Sequence, residues 1–218
     1  MVGCGGTAST TASMAGHGSV TPTFPVVARP TGVRLASSST RVTVGRTVTF
    51  SGTGCRPPAV VQLLLGEESG GRALPGDDGS WSVTTMVNQS SVLGTVPVRA
   101  YCVLSSRTLR NWAYPPLGVH VTTDRTLSIA LGATVEVGRT VRIQPHGACP
   151  EQAGAGALVE LSGNVGTETA TDASGNWTAS LLIPRGTRPG TYTLTAACIF
   201  FRQVLAYYRP VTVTVRPP

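Results

Sequence analysis

The sequence predicts an all-β protein of two tandem β-sandwich domains, with one disulfide in each, behind a disordered N-terminal tail. Three observations carry this prediction: an internal repeat with a period of 93 to 96 residues, a hydrophobic alternation of period two within each copy, and one pair of cysteines per copy. Two domains fit the length, because 218 residues give each copy enough chain for a modest core of its own.

The internal repeat consists of short matched segments in the same order. Val44–Val48 and Val137–Val141 both read Val-Gly-Arg-Thr-Val, at an offset of 93 (137 − 44). Trp81 and Trp177 each follow a turn-forming Gly-Ser or Gly-Asn pair and are 96 residues apart. A period this long, present twice, indicates two domains, since solenoid repeats are shorter and more numerous. We expect a tail over residues 1–31, a first domain over 32–122 and a second over 123–218.

Apolar residues alternate with polar ones within each copy, which is typical of strands with one buried face. Cys55 lies at an odd position, whereas Val48 and Phe50 lie at even positions, so the alternation shifts by one residue between them. We therefore predict a β-bulge near residues 52–54, where glycine adopts the bulged backbone at little steric cost. The predicted inward positions of the second copy are Val141, Ile143, Pro145, Gly147, Cys149, Trp177, Ala179, Leu181, Ile183, Tyr192, Leu194, Ala196 and Cys198.

Composition and charge indicate which classes of fold and partner to expect. Glycine (26) and proline (16) are abundant and charged residues are few (12%), as in all-β proteins. The net charge is +7 and all 17 basic residues are arginines, but they are scattered singly, without the basic stripe of a nucleic-acid binder. We therefore expect no nucleic-acid partner. No apolar run reaches eighteen residues, so we expect no transmembrane segment.

Four cysteines fall in two pairs, one pair in each copy. Cys55 and Cys102 are 47 residues apart, and Cys149 and Cys198 are 49 apart. Both pairs point inward on strands that face each other across a sandwich, so we expect each pair to form a disulfide. A zinc site is the competing interpretation, but the sequence has no Cys-x-x-Cys pair and the histidines do not supply ligands. Disulfides persist in oxidising compartments, which predicts an extracytoplasmic protein.

These segments together resemble the bacterial immunoglobulin-like domains of actinobacterial cell-surface and secreted proteins. The resemblance lies in the Val-Gly-Arg-Thr-Val stretches, the Gly-Ser-Trp and Gly-Asn-Trp turns, and Pro189–Cys198, and it covers about residues 32 to 218. It implies two immunoglobulin-like sandwiches serving as spacers, adhesins or binding modules. The tryptophans follow a hairpin turn, whereas in antibody domains the tryptophan lies on the strand that packs against the disulfide, so antigen-receptor-like recognition is not implied.

The tail is predicted to act as a tether, because its Gly, Ala, Ser, Thr and Pro residues cannot bury enough surface to fold. Val2-Gly3-Cys4 resembles the end of a bacterial lipoprotein signal, in which the cysteine receives lipid. Cys4 is therefore a candidate lipid anchor, although only three residues precede it here and the charged and apolar parts of a signal peptide are missing. The alternative is an incidental free cysteine.

The sequence contains few of the motifs that catalytic or metal-binding sites require. No Gly-x-Ser-x-Gly elbow, phosphate-binding glycine loop or separated pair of carboxylates is present. The turns at residues 77–80 and 172–176 carry carboxylates and amides that could bind calcium, but the full set of acidic ligands is missing. We expect no catalytic residues, no metal and no cofactor.

The predicted function is therefore a non-catalytic structural or adhesive module of the cell envelope. The alternatives are a specific binding protein for a cell-wall glycan or protein partner and, third, a hydrolase accessory domain. Strand parity counted from Cys198 predicts that a partner would bind an exposed patch near the C-terminus. A second interpretation is that this patch packs against another part of the chain, or that a bulge reverses the parity. The patch comprises Ile199, Phe201, Arg202, Val204 and Tyr208.

Overall fold

The computed structural model describes residues 31–104, 112–130, 132–152, 154–162 and 165–218. All the regular elements in these ranges are β-strands, which confirms the predicted all-β class. No helix in the described residues is long and apolar enough to cross a membrane. The tail with Cys4 lies outside the described residues, so its lipidation stays a prediction.

The described residues of the first copy form nine strands. They are β1 (Leu35–Ser37), β2 (Arg41–Thr43), β3 (Thr47–Gly52), β4 (Val60–Leu65), β5 (Glu68–Ala73), β6 (Trp81–Met86), β7 (Gly94–Val103), β8 (Trp112–Ala113) and β9 (Leu117–Thr122).

Nine strands also lie in the part of the second copy that the structure describes. They are β10 (Thr126–Ile129), β11 (Thr134–Glu136), β12 (Thr140–His146), β13 (Gly156–Leu161), β14 (Val165–Ala170), β15 (Ala179–Leu182), β16 (Gly190–Phe200), β17 (Gln203–Tyr207) and β18 (Val211–Arg216).

Each copy folds into two sheets with the same strand order. The first has a three-stranded sheet β1-β3-β6 and a larger sheet β2-β9-β7-β4-β5, with β8 paired to β7. The second repeats this as β10-β12-β15 and β11-β18-β16-β13-β14, with β17 paired to β16. The short second strand of each copy pairs in parallel with the last one, and all other pairs are antiparallel. The sequence repeat is thus a repeat of an immunoglobulin-like sandwich.

One disulfide links the two sheets of each sandwich, as the sequence predicts. Cys55 lies just beyond β3 and bonds Cys102 in β7, with Cα atoms 5.7 Å apart. Cys149 lies just beyond β12 and bonds Cys198 in β16, with Cα atoms 5.6 Å apart. All four cysteines are buried in the two hydrophobic cores. Most inward positions predicted for the second copy lie beside them, but Pro145 and Tyr192 are only half-buried and Gly147 is exposed. Gly147 follows the end of β12 and turns the chain with a φ of 98°.

The expected bulge at residues 52–54 is wrong. β3 pairs with β6 in unbroken register up to Gly52 and then ends. Gly54 takes a φ of 94°, which turns the chain and brings Cys55 inward. The alternation of inward and outward side chains shifts here because β3 ends. A bulge would have shifted it within a strand that continued.

The Gly-x-Trp turns close the same corner in both domains. Gly175 has a φ of 77°, and its carbonyl accepts a hydrogen bond from the backbone N–H of Cys149 at 2.9 Å. A Cβ on Gly175 would collide with the backbone carbonyl of Cys149. Glycine is therefore required both by its φ and by its close approach to the disulfide segment.

Candidate functional site

The hairpin of β16 and β17 carries the candidate site of the second domain. Ile199 pairs with Val204 and Phe200 with Gln203, so Phe201 and Arg202 form a two-residue loop. Their φ angles are 45° and 68°. Two-residue hairpin loops with both φ positive favour Asn-Gly, and a bulky residue in this region is strained. The hairpin therefore holds a phenylalanine where local preference disfavours it.

Phe201 is also the most exposed large apolar side chain among the described residues. It is 86% exposed. Its ring packs on that of Phe200, with centroids 4.4 Å apart and planes at 70°, an edge-to-face contact. The ring thus stands in solvent on a tight turn, with a neighbouring ring to fix its position.

The outer face of the larger sheet continues from this hairpin. Side chains of directly paired residues share a face, and Ile199 pairs with both Gly156 and Val204. Ile199 and Val204 are half-buried, and Arg202 is exposed. The structure therefore brings Ile199, Phe201, Arg202 and Val204 of the predicted patch to one end of this sheet.

The prediction that Tyr208 belongs to the exposed patch is wrong. Tyr208 is 1% exposed and lies in the core of the second domain. The alternation of inward and outward side chains is interrupted twice. Leu205 is an extra residue between the positions paired with Cys198 and Ile199. The alternation shifts by one residue again between β17 and β18. Tyr207, which pairs with Ala197, takes the outer position instead.

A shallow groove of about 530 Å³ lies beside Phe201. It is formed by three segments far apart in the sequence: the loop before β13, the end of β14 and the tip of the β16–β17 hairpin. Small residues line much of it, which leaves room close to the backbone. The lining residues are Gly154, Ala155, Gly156, Glu168, Thr169, Ala170, Ile199, Phe201 and Arg202.

Two buried tyrosines that the sequence analysis missed organise the cores behind the disulfides. Tyr208 donates a hydrogen bond to the Gly147 carbonyl at 2.7 Å and accepts one from the Trp177 indole Nε1 at 2.9 Å. Tyr114 accepts the equivalent bond from Trp81 at 2.6 Å. Burial raises the pKa of both tyrosines, although the indole hydrogen bonds oppose that rise.

The signal for these tyrosines was present in the sequence. Tyr114 and Tyr208 are 94 residues apart, and each is followed two residues later by a proline. This match belongs to the same repeat as the tryptophans, so aligning the two copies through the final strand would have found it.

The two turns considered for calcium have a different role. Asp172 accepts hydrogen bonds from the backbone N–H groups of Ser174 at 2.9 Å and Asn176 at 2.8 Å. Asp78 accepts from the backbone and hydroxyl of Ser80, at 2.9 and 2.7 Å. These hydrogen bonds, chiefly the backbone ones from Asn176 and Ser80, lower the pKa of each carboxyl. Each carboxylate closes its own turn, and no group of three or more potential metal ligands occurs among the described residues.

The groove combines polar and apolar side chains. Its ionisable side chains are Glu168 and Arg202, and both are solvent-exposed. The lining can accept and donate hydrogen bonds and can offer an aromatic face.

Comparison with known proteins gives no family: no family model and no curated protein matches the sequence. The solved structures described next are similar to this chain at TM-scores of 0.40 or below. A Corynebacterium diphtheriae protein named as membrane anchored matches 86% of this chain at 12% identity and a TM-score of 0.33. A tetra-tandem repeat from a large adhesion protein matches 84% at 18% identity and a TM-score of 0.40, and a marsupial T cell receptor matches 85% at 13% and 0.40.

The chain spans 59% of the Corynebacterium structure, 47% of the adhesin fragment and 72% of the receptor. The function proposed below therefore rests on this chain's own residues.

Proposed function

We propose that the chain is a non-catalytic, extracytoplasmic module of the cell envelope that attaches to a partner through the β16–β17 hairpin of its second domain. One observation carries the proposal: Phe201 is 86% exposed on a turn where its own backbone is strained. Exposed apolar groups grouped on a sheet surface commonly mark contacts. Strained backbone conformations are likewise concentrated at binding sites, where they contribute to the pre-organisation of the site.

The neighbouring residues support a contact at this hairpin. Ile199 and Val204 extend the apolar surface along the sheet, and Arg202 adds a cation that can bind planar anionic or carbonyl groups. The disulfides support the extracytoplasmic part of the proposal, because both cysteine pairs are buried and bonded in the cores.

The attachment of the module to the envelope is proposed to run through lipid on Cys4. The residues between Cys4 and the first strand would then be the tether between membrane and sandwich. Mass analysis of the mature N-terminus, after expression with the full upstream region, tests this step. An unmodified Cys4 on exported protein would leave the sandwich pair as a secreted module.

The partner-binding site is tested by replacing Phe201 with serine in the oxidised full chain, produced without lipid on Cys4 so that co-sedimentation reports on the hairpin alone. The expected result is loss of co-sedimentation with envelope preparations, without a change in folded stability greater than about 0.5 kcal/mol, because the side chain is exposed. Leu182→Ser is the matched control, since Leu182 is 56% exposed on β15 in the opposite sheet. Equal binding by the Phe201 variant and the wild type would refute the hairpin as the attachment site.

A further inference from the structure

We infer that the groove beside Phe201 binds a neutral glycan chain. The inference rests on the proposed function and names the chemical class of its partner. The groove lies on the outer face of the sheet and extends from β14 across β13 to the end of β16. Neighbouring strands are about 4.8 Å apart, so the groove is about 10 Å wide measured across these three strands. That width and the groove volume of about 530 Å³ can receive a sugar ring and its linked neighbours.

The small residues of the groove allow a flat ring to approach the backbone. Gly156 pairs with Ala170 on β14 and with Ile199 on β16, so this row across the sheet has little bulk on the β14 side. Gly154 and Ala155 continue the same low surface into the preceding loop. A pyranose ring could therefore lie along the surface without displacing protein side chains.

Phe201 supplies the apolar half of sugar recognition. The face of an aromatic ring is electron-rich and attracts the weakly positive C–H groups on one face of a pyranose. The ring has no polar atom of its own, and Phe200 holds it by an edge-to-face contact. A pre-positioned ring loses little conformational freedom when a ligand binds.

Glu168 and Arg202 supply the polar half. A carboxylate accepts hydrogen bonds and a guanidinium donates them, which complements neighbouring sugar hydroxyls that each donate and accept. The charges of Glu168 and Arg202 are opposite, so a neutral sugar suits the groove better than a strongly anionic or cationic one.

The repeat explains why the site occurs in the second domain. Arg72 occupies the place of Glu168, since Arg72 pairs with Gln62 as Glu168 pairs with Leu158, both at an offset of 96. A carboxylate at the groove is therefore particular to domain 2. An extended peptide adding to the free edge of β14 would bind through that strand's backbone, and it would leave Phe201 unused.

The test is a screen of the oxidised full chain against neutral oligosaccharides, namely β-1,4-linked N-acetylglucosamine oligomers, glucans, mannans and galactans. Calorimetry then follows with the best oligomer. We expect a dissociation constant below about 1 mM. Phe201→Ala and Glu168→Gln should each weaken binding about tenfold or more, Phe201→Trp should keep it, and Leu182→Ala should leave it unchanged.

Two outcomes overturn the glycan inference: no neutral oligosaccharide binds below 1 mM, or binding survives Phe201→Ala. The envelope assay separates this failure from failure of the proposed function. If the oligosaccharides do not bind but Phe201→Ser still abolishes envelope attachment, the hairpin is an attachment site for a different partner. Loss of that attachment after protease treatment of the envelopes would then identify the partner as a protein. If neither assay depends on Phe201, both proposals fall.

Discussion

The hydroxyl of Tyr208 lies at the centre of the second domain, where several groups depend on it. It joins the Trp177 indole to the Gly147 carbonyl and lies 3.8 Å from the sulfurs of Cys149 and Cys198. The Trp177 and Tyr208 rings also make an edge-to-face contact with centroids 5.3 Å apart. A side chain predicted to bind a partner is therefore one that holds the disulfide corner together.

Removing this hydroxyl should destabilise the domain. Tyr208→Phe leaves the Trp177 N–H and the Gly147 carbonyl without their partner in a buried site, which costs about 1–3 kcal/mol. Denaturant unfolding of the oxidised protein measures the loss. Tyr207→Phe is the control, because Tyr207 is half-buried on the outer face, and a change within about 0.5 kcal/mol is expected there. Equal effects of the two variants would contradict the assignment of Tyr208 to the core.

The two buried tyrosines also predict a loss of stability at high pH. Burial raises the folded-state pKa of Tyr114 and Tyr208 above the unfolded value of 10.0, so the folded state holds its protons more tightly. The contribution of these two tyrosines to the free energy of unfolding should therefore be constant below about pH 10 and fall as pH rises from there towards the raised pKa.

Unfolding curves at pH 8 to 11, with Cys4 blocked by alkylation, measure this dependence. Domain-2 stability should fall less steeply in Tyr208→Phe. An unchanged slope in that variant would show that Tyr208 does not carry the effect.

The β16–β17 hairpin shows how an element combines predictable and unpredictable parts. The alternation along β16 predicts Leu194, Ala196 and Cys198 as inward residues, and all three are buried. The extra residue Leu205 in β17 follows no sequence rule, because a bulge is defined by how one strand pairs with its neighbour. The turn is likewise disfavoured by its own residues, since neither Phe201 nor Arg202 prefers a positive φ.

Replacing the loop by Asn-Gly should separate stability from attachment. Phe201→Asn with Arg202→Gly supplies the residues that this backbone favours, so domain 2 should gain about 1 kcal/mol or more. The same variant should lose envelope attachment, because the aromatic ring is gone. Thermal unfolding and co-sedimentation check the two effects together. A less stable variant would show that the native turn is not strained.

The junction between the two sandwiches depends on one arginine of the linker. Arg125 donates through Nε to the Ala148 carbonyl at 3.0 Å and through Nη1 to Gln89 Oε1 at 2.5 Å. Arg209 donates to the Thr123 carbonyl at 3.0 Å and so holds the linker from the side of the second sandwich. Three residues separate β9 from β10, too few for free tumbling.

The expected solution behaviour is a semi-rigid pair of domains. Small-angle scattering of the wild type should fit a narrow range of interdomain angles. Arg125→Ala should widen this range, because it removes the contacts with both Gln89 and Ala148. Arg142→Ala, a substitution on an exposed position of β12, is the control. A wild-type profile that requires a broad range of angles would contradict the prediction.

The sequence by itself determined the class of fold, the two sandwiches and the disulfide of each. These features depend on short-range patterns, since alternation sets which face of a strand is buried and paired cysteines on inward faces can only meet across the core. The repeat added a second copy of each pattern, so Trp81 and Trp177 support the same assignment.

Only the tertiary structure decided how the groove beside the predicted patch is assembled and which tyrosine faces out. The groove joins Gly156, Glu168 and Phe201, which are distant in sequence and meet only when β13 pairs with β14 on one side and β16 on the other. Tyr208 faces inward because Leu205 is an extra residue opposite β16 and shifts the alternation of Ala206, Tyr207 and Tyr208 by one position. The alternation of inward and outward side chains along a strand can be read from the sequence. The position of an extra residue that shifts this alternation depends on how the strands pair in the assembled sheet.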